Sequence, residues 1–226
     1  NLTFEAREGI LKHCSLGNAE KLGDVGRRFL DKRQPSLEAQ IANLADEIAY
    51  NNHDVDDGLR SGLITEDQLV EVQLFARHQS EVRSLYPALG GRRVVTETVR
   101  RMINTLILDL VSTTRINIEN SGVQTLDEVR AAPPLAAFSP ALLDEHRELK
   151  RFLLRHLYRH YKVARMSAKA SRIITDLYVA FTGDARLLPP EHQARESLEG
   201  ARAVADYIAG MTDRYAMREH RRIFAV

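Results

Sequence analysis

Along almost the whole chain, apolar side chains return every three or four positions, the period of a helix that buries one face. Ser36 stands where it can cap a helix start, and Glu38 suits the positive end of the helix dipole. Beyond it, Ile41, Leu44, Ala45, Ile48, Ala49 and Val55 form one apolar stripe, predicting a helix of about twenty residues that ends near Asp57-Gly58. Thr65-Glu-Asp-Gln68 has the spacing of a capping box and opens a helix through Leu69, Val72, Leu74, Phe75 and Val82, which Pro87 and Gly90-Gly91 close. From Arg92 to Thr114 the positions Val95, Val99, Met102, Ile103, Leu106, Ile107 and Leu110 predict the most buried helix of the chain.

Other segments read less uniformly. Thr3 to His13 predicts a short amphipathic helix with Phe4, Ile10 and Leu11 on its apolar side. The polar, Gly-rich stretch from Ser15 to Gly26 reads as loop, and the brief alternation of Arg115-Ile-Asn-Ile-Glu-Asn-Ser-Gly as a short extended piece. Pro133-Pro134 breaks helix, and Ser139-Pro140 restarts it with a cap and a proline at the first helical position. Three further helices follow: about Pro140 to Tyr161, through Ile173 to Gly183, and about Leu198 to Tyr215. No repeat, low-complexity run or linker separates these segments. The pattern predicts an all-α fold in a single helical unit.

With 226 residues, 44% of them hydrophobic, the chain is long enough to bury a sizeable core. It has no apolar run near the roughly 20 residues a bilayer requires, and its mean hydropathy is -0.31, so no membrane span is expected. The 32 basic and 31 acidic residues nearly cancel, giving no support to a globally cationic nucleic-acid binder. One cysteine, Cys14, makes neither an internal disulfide nor a Cys-rich zinc site and fits a cytoplasmic protein. The chain starts at Asn1 with neither a basic nor an apolar leader; the expectation is no signal peptide, and further residues upstream.

One constellation carries specific chemistry. Asp46, Tyr50 and Asp54 stand at i, i+4 and i+8 on the Ser36 helix, within an arc of about 80°. Two carboxylates and a phenol on one face can ligate a metal, contact a sugar ring and accept hydroxyl hydrogen bonds; an acidic, solvated helix face is the alternative, since Asp56 and Asp57 crowd the same end. His53-Asp54 is a poor metal pair, because adjacent helical residues point about 100° apart. A cationic series runs through Arg147, Lys150, Arg151, Arg155, Arg159, Lys162, Arg165, Lys169 and Arg172. It reads as a solvated, salt-bridged face or as a surface for phosphates of a single-stranded nucleic acid or for a partner subunit.

Three blocks go further: Asn1-Leu-Thr-Phe-Glu-Ala-Arg-Glu-Gly-Ile-Leu-Lys-His, the Ser36 helix from Ser36-Leu-Glu-Ala-Gln through Asp46-Glu-Ile-Ala-Tyr-Asn-Asn-His-Asp-Val-Asp-Asp-Gly-Leu, and Val204-Ala-Asp-Tyr-Ile-Ala-Gly-Met-Thr-Asp-Arg-Tyr-Ala. In this order they resemble the deoxyguanosinetriphosphate triphosphohydrolase-like family of the HD-domain superfamily. The resemblance implies a multi-helix HD-domain-like bundle, with residues 1–130 as the rear part of the catalytic core and 131–226 as a helical region packed on it. It implies hydrolysis of a dNTP, dGTP by the family's name, to deoxynucleoside and triphosphate with Mg²⁺ or Mn²⁺, in a cytoplasmic homo-oligomer. Asp46 is then similar to the final metal ligand, and Tyr50 and Asp54 to residues that line the deoxyribose. A His, a His-Asp pair and the catalytic base are expected upstream of Asn1, so the site here is incomplete. The phosphates need cations, for which Arg92, Arg93, Arg100 and Arg101 are the candidates; Arg92 and Arg93 are taken first. The alternatives are an HD phosphohydrolase for another nucleotide, or a non-catalytic helical module that binds nucleic acid or subunits.

Overall fold

The computed structural model describes residues 2–11 and 13–225, and among these there is no strand: the fold is all-α. The chain divides into two compact units, residues 1–157 and 158–226.

The first unit is organised around α4 (Leu37–Arg60) and α7 (Arg92–Ser121), which pack against each other. Helix α4 starts as its sequence dictates: the Ser36 hydroxyl accepts from the Ala39 N–H. Its core face carries Gln40, Ile48, Asn51, Asn52, Val55 and Gly58, all buried. Three of these are amides, so each must be hydrogen-bonded inside the protein or lose free energy. Gln40 uses its Oε1 to accept from the backbone N–H groups of Leu135 and Ala136 at 2.9 and 3.2 Å, while its Nε2 donates to the Pro35 carbonyl. Asn52 donates to the Ile48 carbonyl one turn back.

Around this pair lie α1 (Phe4–Ile10), α6 (Gln73–Leu85) and α9 (Pro140–Leu153). Helix α6 packs on α7 and α9, and α9 packs also on α4. The capping box at Thr65 forms, with the Thr65 hydroxyl accepting from Gln68 N–H and the Gln68 side chain accepting from Thr65 N–H. It opens only a single turn, α5 (Glu66–Leu69), before the chain re-enters helix at Gln73. Ser139 caps α9 with Pro140 at its first position.

Several expectations need correction. The Ser15–Gly26 stretch is not loop: it forms α2 (Leu16–Ala19), a 3-10 turn Glu20–Leu22 and the start of α3 (Gly23–Leu30). Ser15 caps α2 through its side chain, and Gly26 lies so close to α2 that a Cβ would stand 2.0 Å from the Ala19 carbonyl oxygen. Residues 115–121 are not extended, because α7 runs on unbroken until Gly122, whose φ of +67° ends it. Helical propagation adds a backbone bond for each residue fixed, whereas a lone extended piece has no sheet to join. In α1 the buried residue is Glu8, and Ile10 faces solvent. Lastly, the apolar stripe of α4 is only partly the core stripe. Ile48 and Val55 are buried, but Ile41, Ala45 and Ala49 are exposed, since the core face is centred on the Gln40–Leu44–Ile48–Asn51–Val55 line and those three lie on its flank.

After α9 a π-helical turn, Leu154–Tyr158, precedes the second unit. That unit comprises α10 (Tyr161–Gly183), α11 (Pro190–Glu199), α12 (Ala201–Ala209) and α13 (Asp213–Phe224), where one helix from Leu198 to Tyr215 was expected. Gly200 and Gly210 interrupt it. Its core is Ile173, Leu177, Phe181, Leu188 and Val204. Between α12 and α13 the Tyr207 and Tyr215 hydroxyls lie 3.3 Å apart, and burial beside this partner pushes the Tyr207 phenol up from its ordinary range.

Candidate functional site

Asp46, Tyr50 and Asp54 share one face of α4, turned away from the core amides. Asp46 and Tyr50 are exposed, the ring by 61%, and Asp54 is half-buried. That exposed face lies beside the flank formed by Ile41, Ala45 and Ala49. The core side of the same helix is held by Asn51, whose Nδ2 meets His146 Nε2 at 2.8 Å, and its flank next to Asp54 by Glu47, which is ion-paired with Lys150, both partners belonging to α9. His146 is 2% exposed, packs edge-on against Phe138 with centroids 5.1 Å apart, and is held neutral by burial, which lowers its pKa. A rigid back and a solvated front place the three side chains on a pre-positioned surface.

At the distal end the acidic residues are engaged. His53 Nε2 lies 3.6 Å from the Asp57 carboxylate one turn on, Asp57 also meets Arg60, and Asp56 lies 3.6 Å from Arg92. His53 therefore faces along the helix toward Asp57. Among the described residues no group of three His, Cys, Asp or Glu side chains could hold a metal ion. The site residues of this chain do not by themselves fit a divalent cation, which needs several oxygen ligands.

The four arginine candidates divide. Arg100 forks onto Glu97 at 2.8 and 2.7 Å, and Arg101 reaches Glu97 and Glu81. Both are committed to ion pairs that hold the Glu97 carboxyl below its usual range, Arg100 contributing most. Arg92 and Arg93 are exposed at the start of α7 and, with Tyr86, Leu89, Thr96, Glu97 and Arg100, border a cleft of about 510 Å³. Arg92 meets α4 at Asp56, ten positions after Asp46, which is about 15 Å along the helix. Sequence reasoning missed the buried carboxylate Glu8 and the cavity beside it. Its only sequence signal was a glutamate standing in the helical register of Phe4 and Leu11.

The cationic series is mixed. Arg147 pairs with Asp144, Lys150 with Glu47 and Arg172 with Asp176, while Arg165 lies over the Tyr161 ring at 5.3 Å. Arg151, Arg155 and Arg159 are exposed. Among the described residues no helix is long and apolar enough to cross a membrane.

Residues 136–222 match the model of a phosphohydrolase-associated domain. Over its whole length the chain is similar to proteins named deoxyguanosinetriphosphate triphosphohydrolase-like. It is 83% identical over all 226 residues to the protein of that name from Thiobacillus denitrificans, covering 60% of that protein. It is 64% identical to the one from Ralstonia nicotianae and 53% identical to the one from Nitrosomonas europaea, again over its full length and 58% and 60% of theirs. The chain thus spans about three-fifths of the length of the curated relatives it matches.

Proposed function

We propose that this chain forms part of a metal-dependent dNTP triphosphohydrolase, one that splits a dNTP into deoxynucleoside and triphosphate, with dGTP the first substrate to test. The carrying observation is the alignment of Asp46, Tyr50 and Asp54 on the solvated face of a helix whose back is bonded to α9. In this reading Asp46 is a metal ligand, and the other ligands and the catalytic base come from outside the 226 residues. A divalent ion, Mg²⁺ or Mn²⁺, would supply Lewis acidity at the phosphoryl group. The Tyr50 ring packs on the deoxyribose, and Asp54 accepts a hydrogen bond from its 3′-hydroxyl. Residue type alone assigns phosphate contacts to Arg92 and Arg93, which stand at the Asp56 end of the stripe. Residues 1–130 supply the rear of the catalytic core and 131–226 the helical region beside it, in a cytoplasmic homo-oligomer.

The test uses the chain extended to the full length of its relatives. Asp46→Asn preserves shape but removes the charge that helps an ion shed water, so Mn²⁺ affinity and dGTP turnover should collapse while circular dichroism stays unchanged. Asp57→Asn, at the distal end, should change neither. Wild-type metal affinity and turnover in Asp46→Asn would remove the proposed site.

A second reading, a surface for single-stranded nucleic acid, is favoured by the exposed Arg151, Arg155 and Arg159.

A further inference from the structure

A cavity of about 300 Å³ lies beside the N-terminal part of α4, bordered by Glu8, Arg28, Gln34, Gln40, Asn43 and Pro134 among others. Glu8 is 1% exposed, yet its charge is answered: its carboxylate accepts from the Ser36 N–H at 3.1 Å and from Arg130 Nη2 at 3.3 Å. Arg28 stands on the same cavity and is a different case. Its Nη2 donates to the Leu11 carbonyl and its guanidinium lies 4.0 Å over the Phe29 ring, but its Nε–H is buried and has no acceptor among the described residues. Arg130, in contrast, is paired with both Glu8 and Asp127. An unmet donor costs free energy, and burial draws the Arg28 pKa down against the pull of Glu8. The cavity wall therefore carries a donor that an incoming acceptor can meet.

Its location gives that donor an acceptor to meet. Ala39 and Asn43 line the cavity, and with Asp46, Tyr50 and Asp54 they follow steps of four, three, four and four, a single face of α4. Asn43 lies one turn before Asp46, about 4.5 Å along the axis. With the sugar at Tyr50 and Asp54 and the α-phosphorus at Asp46, the terminal phosphates come within reach of the Asn43 end of this face. A guanidinium fork with the neighbouring amides of Gln34 and Asn43 is donor-rich, as phosphate oxygens require.

We propose that this cavity is a polyphosphate subsite in which the Arg28 guanidinium and the Asn43 amide receive the terminal phosphates of the nucleotide. The assignment rests on the hydrolase reading for its orientation, but its test does not. Inorganic triphosphate is titrated, without metal, into the 226-residue chain at low salt by calorimetry. One site is expected. Arg28→Gln should weaken it at least about tenfold, the loss of charge-assisted hydrogen bonds, and Asn43→Asp, which sets a negative charge on a half-buried position of the cavity wall, should do the same. Arg115→Gln, at an exposed position of α7 outside the cavity, should stay within about twofold. Circular dichroism checks each fold; should Arg28→Gln unfold, Asn43→Asp decides. No binding by the wild-type chain, unchanged affinity in a folded Arg28→Gln or Asn43→Asp, or an equal loss in Arg115→Gln would overturn the subsite. Because the probe contains neither nucleoside nor metal, Arg28-dependent binding alongside absent dGTP hydrolysis by the chain extended to its relatives' length would remove the hydrolase reading and leave the anion site standing.

Discussion

Asn51 and His146, 95 positions apart in sequence, meet side chain to side chain at 2.8 Å inside the first unit. Their contact ties α4 to α9 at the position after Tyr50, about 100° round the helix from its ring. A neutral imidazole suits this buried place, and desolvation holds it neutral in the folded chain.

The pair predicts an acid sensitivity. The folded His146 pKa lies below that of the unfolded residue, near 6.5, so between the two values the unfolded state binds more protons. Stability is fully present above about pH 6.5 and falls as pH drops through the folded pKa. Urea midpoints at pH 7.5 and 5.5 measure this, and His146→Leu should flatten that part of the pH dependence. The same variant strands the Asn51 amide and should lower stability at neutral pH by about 1–3 kcal/mol.

If Asp54 accepts from the deoxyribose 3′-hydroxyl as proposed, selectivity at the sugar depends on it. In the chain extended to its relatives' length, Asp54→Ala should lower kcat/KM for dGTP by about 1–3 kcal/mol, the range for a hydrogen bond to a charged group. An unchanged value takes Asp54 out of the site.

Packing of α3 on α2 admits no side chain at Gly26. Gly26→Ala places a methyl 2.0 Å from the Ala19 backbone oxygen, so α2 and α3 must separate, at about 1–3 kcal/mol. Thermal unfolding reads the loss, and Gly17→Ala, where open space surrounds the new carbon, is the control.

If Arg151, Arg155 and Arg159 receive nucleic-acid phosphates, single-stranded DNA binds with a logarithmic salt slope of about -0.7 per contact. The triple Gln variant should then lose about three such contacts. No binding at low salt leaves a solvated face.

The helical class, the starts at Ser36, Thr65 and Ser139 and the Asp46–Tyr50–Asp54 stripe were legible because each depends on spacing within one element. Burial was less so. Ile41, Ala45 and Ala49 look like core by residue type, while Gln40 and Asn51 look like surface; the roles reverse because partners distant in sequence, Leu135, Ala136 and His146, satisfy the amides. Arg28 was hidden for the same reason. It lies in a stretch whose glycines and polar residues read as loop or as its edge, and the chemistry beside it, Glu8 and Asn43, comes from two other helices.

The Gln40 clasp on Leu135 and Ala136 also sets an order of assembly. The backbone groups that quiet Gln40 of α4, and the histidine that meets its Asn51, are made only 95 residues after those side chains. Local helices form quickly, whereas contacts so distant wait for a long loop to close. Helix α4 is therefore made well before it is locked, and a chain released before Leu135 would carry its candidate site on a helix without a back.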